Sequence, residues 1–398
     1  MNCKQSLRKG FNIASVEGCE NVKSNIINKL TIQFNQHLYE EDEIYFTIGI
    51  KFGFSTNEVL VLPQNEIKKI NQASGEVFIN YIDIIMKDKY KIYIRGNVKT
   101  GIIYISMKTR KNRMDDDAID LLKTLYEDEV NEGVFNRAKE IAKDKFSYNY
   151  KNINFRAYYN MMEFSNINKN FILRKLTKNF LDINVQELKE FIENIVVVQN
   201  SILFINGDLS ELNKSKIFKF IENIKIKDIY VRPAAEAVNK YLQTDVHIFD
   251  TARENVSIGG INFNFFNDDV TILEKQLLLS ILSEIMFKDK GKLLLDEFDN
   301  SLLYFNSKLE EYSTKIFDYL NEESVIKAKD ILVYKLSYML DRNPYLFNKY
   351  CIDLYSKGID FSEYIEVLKK CDSRLLKNIY IKGNLKITEG HLLYVKER

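Results

Sequence analysis

An α+β fold with two duplicated domains, each a mostly antiparallel sheet with helices packed on one face, is what this sequence predicts. Three observations carry it. Strands precede helices in each half of the 398-residue chain. A strand pattern recurs roughly 210 residues after its first appearance, and a helical pattern recurs at an offset of 190.

The strand pattern is IYFTIGIKFGF at 44–54, where Ile44, Phe46, Ile48, Ile50, Phe52 and Phe54 alternate with Tyr45, Thr47, Gly49, Lys51 and Gly53. Period two predicts a half-buried strand. Its counterpart is VSIGGINF at 256–263, and each strand runs into a polar turn, STNE at 55–58 and NDD at 267–269. The helical pattern is RAKEIAKDKFSY at 137–148 against KAKDILVYKLSY at 327–338. There Ala138, Lys139, Lys145, Ser147 and Tyr148 pair with Ala328, Lys329, Lys335, Ser337 and Tyr338. Two paired elements in one order imply duplication. The offset falls from about 212 to 190 between the pairs, so the second copy is expected to be shorter by about 20 residues, lost after residue 305.

In the first half, strands are expected near 30–35, 44–54, 90–95 and 101–108. Helices follow near 115–128, 132–150, 155–178 and 184–195, and SILFING at 201–207 closes the half. Asn184 with Glu187 fits a capping box. Asp115, Asp116 and Asp117 suit a helix N-terminus, where negative charge is favoured. The lysine-rich run at 213–227 reads as an amphipathic helix with a solvated face. Gly259 and Gly260 mark a bulge or a close backbone approach. A linker at about 225–243, containing Pro233, separates the halves, which gives domains 1–228 and 229–398.

Lys and Arg total 57 against 56 Asp and Glu, a balance that argues against nucleic acid as a partner. Cys3, Cys19, Cys351 and Cys371 form no CxxC pair and are expected as free thiols in a reducing compartment. No apolar run reaches the roughly 18 residues of a membrane span. The N-terminus shows no signal-peptide pattern, so the expectation is a soluble, cytoplasmic protein.

Several short motifs then fall in a meaningful order. GFSTNE (53–58) ends the first strand pattern, Ile205-Asn206-Gly207-Asp208 closes the first half, and 256–263 with a helix over 272–286 opens the second. In that order they resemble the half-length subunits of insulinase-type (pitrilysin-like) metallopeptidases. The resemblance implies a zinc helix carrying His-x-x-Glu-His soon after the turn, with two histidines as ligands and the Glu as general base. No histidine occurs from Asn57 to Ile82, and the three in the chain are His37, His247 and His391. No metal site and no catalytic residue of the family's kind are therefore expected. The segment VLVLPQNEIKKINQ is short for that helix, which is expected to be lost or remodelled.

His37-Leu38-Tyr39-Glu40-Glu41 imitates the motif, but it falls before the first strand pattern and reads as an acidic hairpin tip. The family's second domain implies an Arg on a helix and a Tyr six residues later that hold the substrate backbone. In LLLDEFDNSLLYF (293–305) Tyr304 takes the Tyr position and Phe298 replaces the Arg. Phe offers none of the guanidinium's forked donors, although Lys290 or Lys292 stands nearby. Tyr304 is thus the candidate substrate-binding residue, with a place in the core as the competing reading.

The resemblance implies a non-catalytic subunit that pairs with a zinc-bearing homologous peptidase around a peptide substrate, in bacterial peptide processing such as leader removal. Zinc is expected only in that partner, and no cofactor is expected here. A free-standing peptide-binding homodimer and an enzyme with a different active site are the alternatives.

Overall fold

Alternating apolar residues build the first sheet, and the two faces of one strand explain the architecture. The computed structural model describes residues 22–53, 58–62, 66–99, 101–164, 173–210, 216–226, 230–233, 246–250, 256–287, 291–295, 300–306 and 316–396. The first half runs β1 (Lys23–Ile27), β2 (Leu30–Gln36), β3 (Glu43–Ile50), β4 (Glu58–Leu62), β5 (Glu66–Lys69), α1 (Ser74–Ile85), β6 (Ile94–Val98) and β7 (Ile103–Arg110). It continues with α2 (Met114–Tyr126), α3 (Glu132–Tyr150), α4 (Ile153–Phe164), α5 (Leu173–Asp182), α6 (Val185–Asn194) and β8 (Ser201–Gly207). Next come α7 (Lys216–Asn223), β9 (Tyr230–Pro233), β10 (Val246–Asp250), β11 (Val256–Phe265), α8 (Ile272–Phe287), β12 (Gly291–Leu295) and β13 (Asn300–Asn306). The chain ends with α9 (Ile316–Tyr319), α10 (Glu322–Arg342), α11 (Pro344–Ser356), α12 (Phe361–Lys370), α13 (Ser373–Lys382) and β14 (Leu385–Lys396).

Two large sheets form, in the orders β1-β2-β8-β3-β7-β6 and β10-β14-β11-β13-β12. In both, an early strand pairs in parallel with the closing strand, β2 with β8 and β10 with β14, and the remaining pairs are antiparallel. The duplication is thus topological. Asn131 caps α3 and Asn321 caps α10, each accepting from the backbone N–H three residues on. Lys139 Nζ donates to the carbonyls of Leu181 and Ile183 at 2.9 and 2.7 Å, while Lys329 Nζ donates to those of Lys369 and Cys371 at 3.4 and 3.2 Å. In each half a lysine of the long helix closes carbonyls at the end of a later helix, which a C-terminal dipole favours.

The shortening lies mostly earlier than the sequence suggests. Glu43 and Val256 open β3 and β11 (offset 213), Ile103 and Asn300 open β7 and β13 (197), and Glu132 and Glu322 open α3 and α10 (190). Most of the loss therefore precedes Tyr304. Its cause is a β4–β5 hairpin, present between β3 and α1, where the second half passes from β11 to α8 through a short turn. The hairpin forms a three-stranded sheet with β9, which places Tyr230–Pro233 of the expected linker in an edge strand. An edge is where Pro is tolerated.

β3 is buried on both faces, whereas its pattern predicts burial on one. Ile44, Phe46, Ile48 and Ile50 face the first core with α1. Thr47 and Gly49 face α11, a helix of the second half that packs on β3 and β8, and reciprocally α4 packs on β11 and β14. The halves thus exchange helices. A Cβ at Gly49 would overlap Ile352 of α11, so glycine sets the distance of approach. Through Gly259 and Gly260, β11 keeps unbroken register with both neighbours, so the pair does not form a bulge.

The His37 segment does not form a hairpin tip, because β8 lies between β2 and β3; it connects two strands that do not touch. The acidic triplet sits in the first turn of α2 without making a capping bond to it; Asp117 instead pairs with Arg113 at 2.7 Å. The capping box at α6 is present in both directions, at 3.0 and 2.9 Å. Within the lysine-rich run, α7 buries Ile217 and Ile221, as an amphipathic helix should. Cys351 and Cys371 are buried free thiols, and Cys3 and Cys19 lie outside the described residues.

Candidate functional site

VLVLPQNEIKKINQ is not a remnant helix. Its described part is the β4–β5 hairpin, and a complete helix, α1, follows it. On α1, Glu76 and Asn80 stand four residues apart, hence on one face. Lys145 of α3 donates from Nζ to Asn80 Oδ1 at 2.6 Å and acts on Glu76 through its charge. The Asn80 amide donates back to the carbonyl of Glu76 at 2.8 Å. The Glu76 carboxylate accepts the N–H of Val98 at the end of β6. Burial pushes its pKa up to about 7, against the smaller opposing pull of Lys145 and of that hydrogen bond.

In the second half the matching lysine of the long helix makes a different contact. Lys335 Nζ of α10 meets Glu284 Oε2 of α8 at 2.9 Å, with Gln276 donating to Ser280 at 2.9 Å one turn earlier. Lys145 and Lys335 share the offset of 190 already visible in the sequence. That repeat was the available signal for this cluster, and it gave no indication of which groups the lysines would meet.

Zinc does not fit these residues. A tetrahedral site of this class needs neutral or anionic donors converging on the metal. Here the helix supplies one carboxyl and one amide, and the amide is already taken by an ammonium, which repels a dication. Among the described residues no group of three His, Cys, Asp or Glu could hold a metal ion.

The other candidates lie elsewhere. His37 sits 3.5 Å from Asp341 and lies against the Tyr39 ring at a tilt of 56°, with burial pulling its pKa down. His391 is buried on β14, 3.5 Å from Glu389. In β13, Tyr304 stands opposite Gly259 on one side and Gly291 on the other. The equivalent row of the first half is Ile94, Met107 and Phe46, a core row. Phe298 and Lys290 fall outside the described residues, and Lys292 pairs with Leu303 in the β12–β13 ladder.

α1 presses closely on β6: a Cβ at Gly96 would overlap Ile79. Gly96→Ala is expected to cost about 1–2 kcal/mol, read by urea denaturation, because α1 must lift or Ile79 must leave its rotamer. An unchanged midpoint would show that α1 is loosely held.

Two α+β halves with exchanged helices, each closing its sheet with a parallel terminal strand, define the insulinase-type, M16-like class of fold. No family model matches the chain, and no curated protein matches it. Solved structures do. An M16-like chain of Alicyclobacillus acidocaldarius superposes with a TM-score of 0.73 at 11% identity, covering 94% of this chain and 98% of that one. The peptidase M16 inactive domain of Pseudomonas fluorescens gives 0.61 at 13%, covering 95% and 99%. The periplasmic protease PqqL of Escherichia coli gives 0.62 at 9%, covering 95% of this chain and 48% of that protein. The chain therefore has the M16-like fold, at half the length of PqqL, and one protein with this fold is an inactive domain. Among the described residues no helix is long and apolar enough to cross a membrane.

Proposed function

We propose that this chain is a non-catalytic, pseudo-peptidase subunit that pairs with a zinc-bearing homologous peptidase and supplies one wall of its peptide-binding chamber. One observation carries the reading: on the helix where the resemblance calls for zinc ligands, Asn80 is bonded to the ammonium of Lys145, whose charge also acts on the Glu76 carboxyl one turn earlier. The likeness to an inactive M16 domain supports it. Zinc belongs, on this reading, to the partner. The peptide adds as a strand to an exposed sheet edge, with main-chain hydrogen bonds giving sequence tolerance, and Tyr304 contributes from the second half. Cytoplasmic removal of leader segments from modified peptides is the process this would serve.

The test is cleavage of quenched-fluorescent peptides by a zinc-bearing M16 homologue from the same organism, with and without this chain at equal concentration. Cleavage should need both proteins, with the chain alone inert. Chelator-sensitive cleavage by the chain alone would overturn the proposal. So would a partner whose rate and mass in solution do not change when the chain is added.

A further inference from the structure

We propose that the outer edge of β6 holds an extended acidic peptide whose carboxylates, at alternate residues, sit along Arg95, Lys99 and Lys349. This rests on the peptide-binding role above and names the substrate chemistry. β6 ends its sheet, with no strand beyond it among the described residues. Lys99 N–H donates inward to Ile102 at 2.8 Å, so by antiparallel alternation Val98, Gly96 and Ile94 turn their backbone groups outward. Val98 is already bonded to Glu76, which leaves Gly96 and Ile94 to pair with an added strand.

Arg95, Asn97 and Lys99 share the face that α11 covers, where positions recur about every 7 Å along a strand. Arg95 lies 4.7 Å from the ring of Tyr345, and Lys99 lies 5.0 Å from that of Tyr104. Lys349 of α11 donates to Asn97 Oδ1 at 2.6 Å and lies 5.6 Å from the same Tyr104 ring. Three cations thus gather around two rings. Burial first, and then repulsion from Lys99 and Arg95, pulls the Lys349 pKa down to about 8. Asp353 is close to Lys99 but is engaged by Lys357 at 3.1 Å and by the Tyr104 hydroxyl at 3.2 Å. Among the described residues neither Arg95 nor Lys349 meets a carboxylate. A strand added at this edge brings every second side chain along this cationic face, and acidic groups there relieve the repulsion.

The experiment uses the full chain and fluorescein-labelled octapeptides with Glu at alternate positions, with Gln or Lys at those positions, or with the same Glu residues made contiguous. Binding is read by anisotropy at moderate salt. The alternating-Glu peptide should bind about tenfold more tightly than each of the others, and Arg95→Gln and Lys349→Gln should each remove most of that difference without moving Tm. Equal affinity for the Gln peptide or for the contiguous one, or unchanged affinity in both variants, would overturn the inference. Equally effective competition by an oligothymidine would do the same, marking a general polyanion patch. If the chain still activates its zinc-bearing partner while showing no acidic preference, this inference alone fails. If it binds the alternating peptide yet leaves the partner unaffected, the heterodimer reading alone fails.

Discussion

Asn348→Ala is expected to lower the unfolding free energy by about 3 kcal/mol, the sum of a stranded amide and a small cavity. Asn348 sits on α11 with no exposed surface, inserted into the first sheet. It accepts from the Asn206 amide at 3.1 Å and donates to the Tyr45 carbonyl at 3.3 Å and to Thr47 Oγ1 at 3.2 Å. Asn206 in turn accepts from Asn35 at 3.2 Å, and Thr47 lies 3.1 Å from Ser106 Oγ. A buried polar chain therefore runs across four strands and passes through one residue of the other half. Removing that residue leaves the fully buried Asn206 amide without its acceptor, where the desolvation penalty is felt in full. Asn348→Leu separates the two contributions: it refills the space but restores no acceptor, so it should recover only the cavity part. If guanidinium denaturation gives both variants the wild-type midpoint, α11 does not join the halves through this chain of bonds.

That helix exchange is also where the sequence was least legible. The 3.6-residue period marks which face of a helix is buried, and α3, α6 and β8 follow the expected spans closely because caps and apolar runs fix them locally. Nothing in the period of α4 or α11 says which sheet receives the buried face. The same gap turned β3 from a half-buried strand into a fully buried one, since Thr47 and Gly49 look like solvent-facing residues until α11 covers them. The β4–β5 hairpin was legible in principle, as Val59-Leu60-Val61-Leu62 broken by Pro63-Gln64-Asn65 is a strand followed by a turn. As for the site, the absence of histidine could be read directly. The bond from Lys145 to Asn80 on α1 could not, because an exposed-looking lysine on a charged helix carries no sign of its partner.

Glu76→Gln is expected to stabilise the protein at pH 8 by about 2 kcal/mol and to change it little at pH 4, a difference that pH-resolved thermal unfolding would read. The folded protein holds the Glu76 proton until about pH 7, whereas an unfolded Glu releases it near its ordinary value of 4.5. Between those two values the unfolded state binds fewer protons, so stability falls as pH rises and levels off above about 7. Full linkage for such a shift would be about 3 kcal/mol, and the lower figure allows for the solvent that still reaches a partly exposed carboxyl. The glutamine side chain has no proton to lose and can still accept the Val98 N–H, so the variant escapes the loss while keeping the contact. Lys145→Met should act in the opposite sense. Without the ammonium the carboxylate is less favoured still, and the variant should lose more stability at pH 8 than at pH 5. A pH-independent effect of both substitutions would mean that Glu76 is an ordinary surface carboxylate.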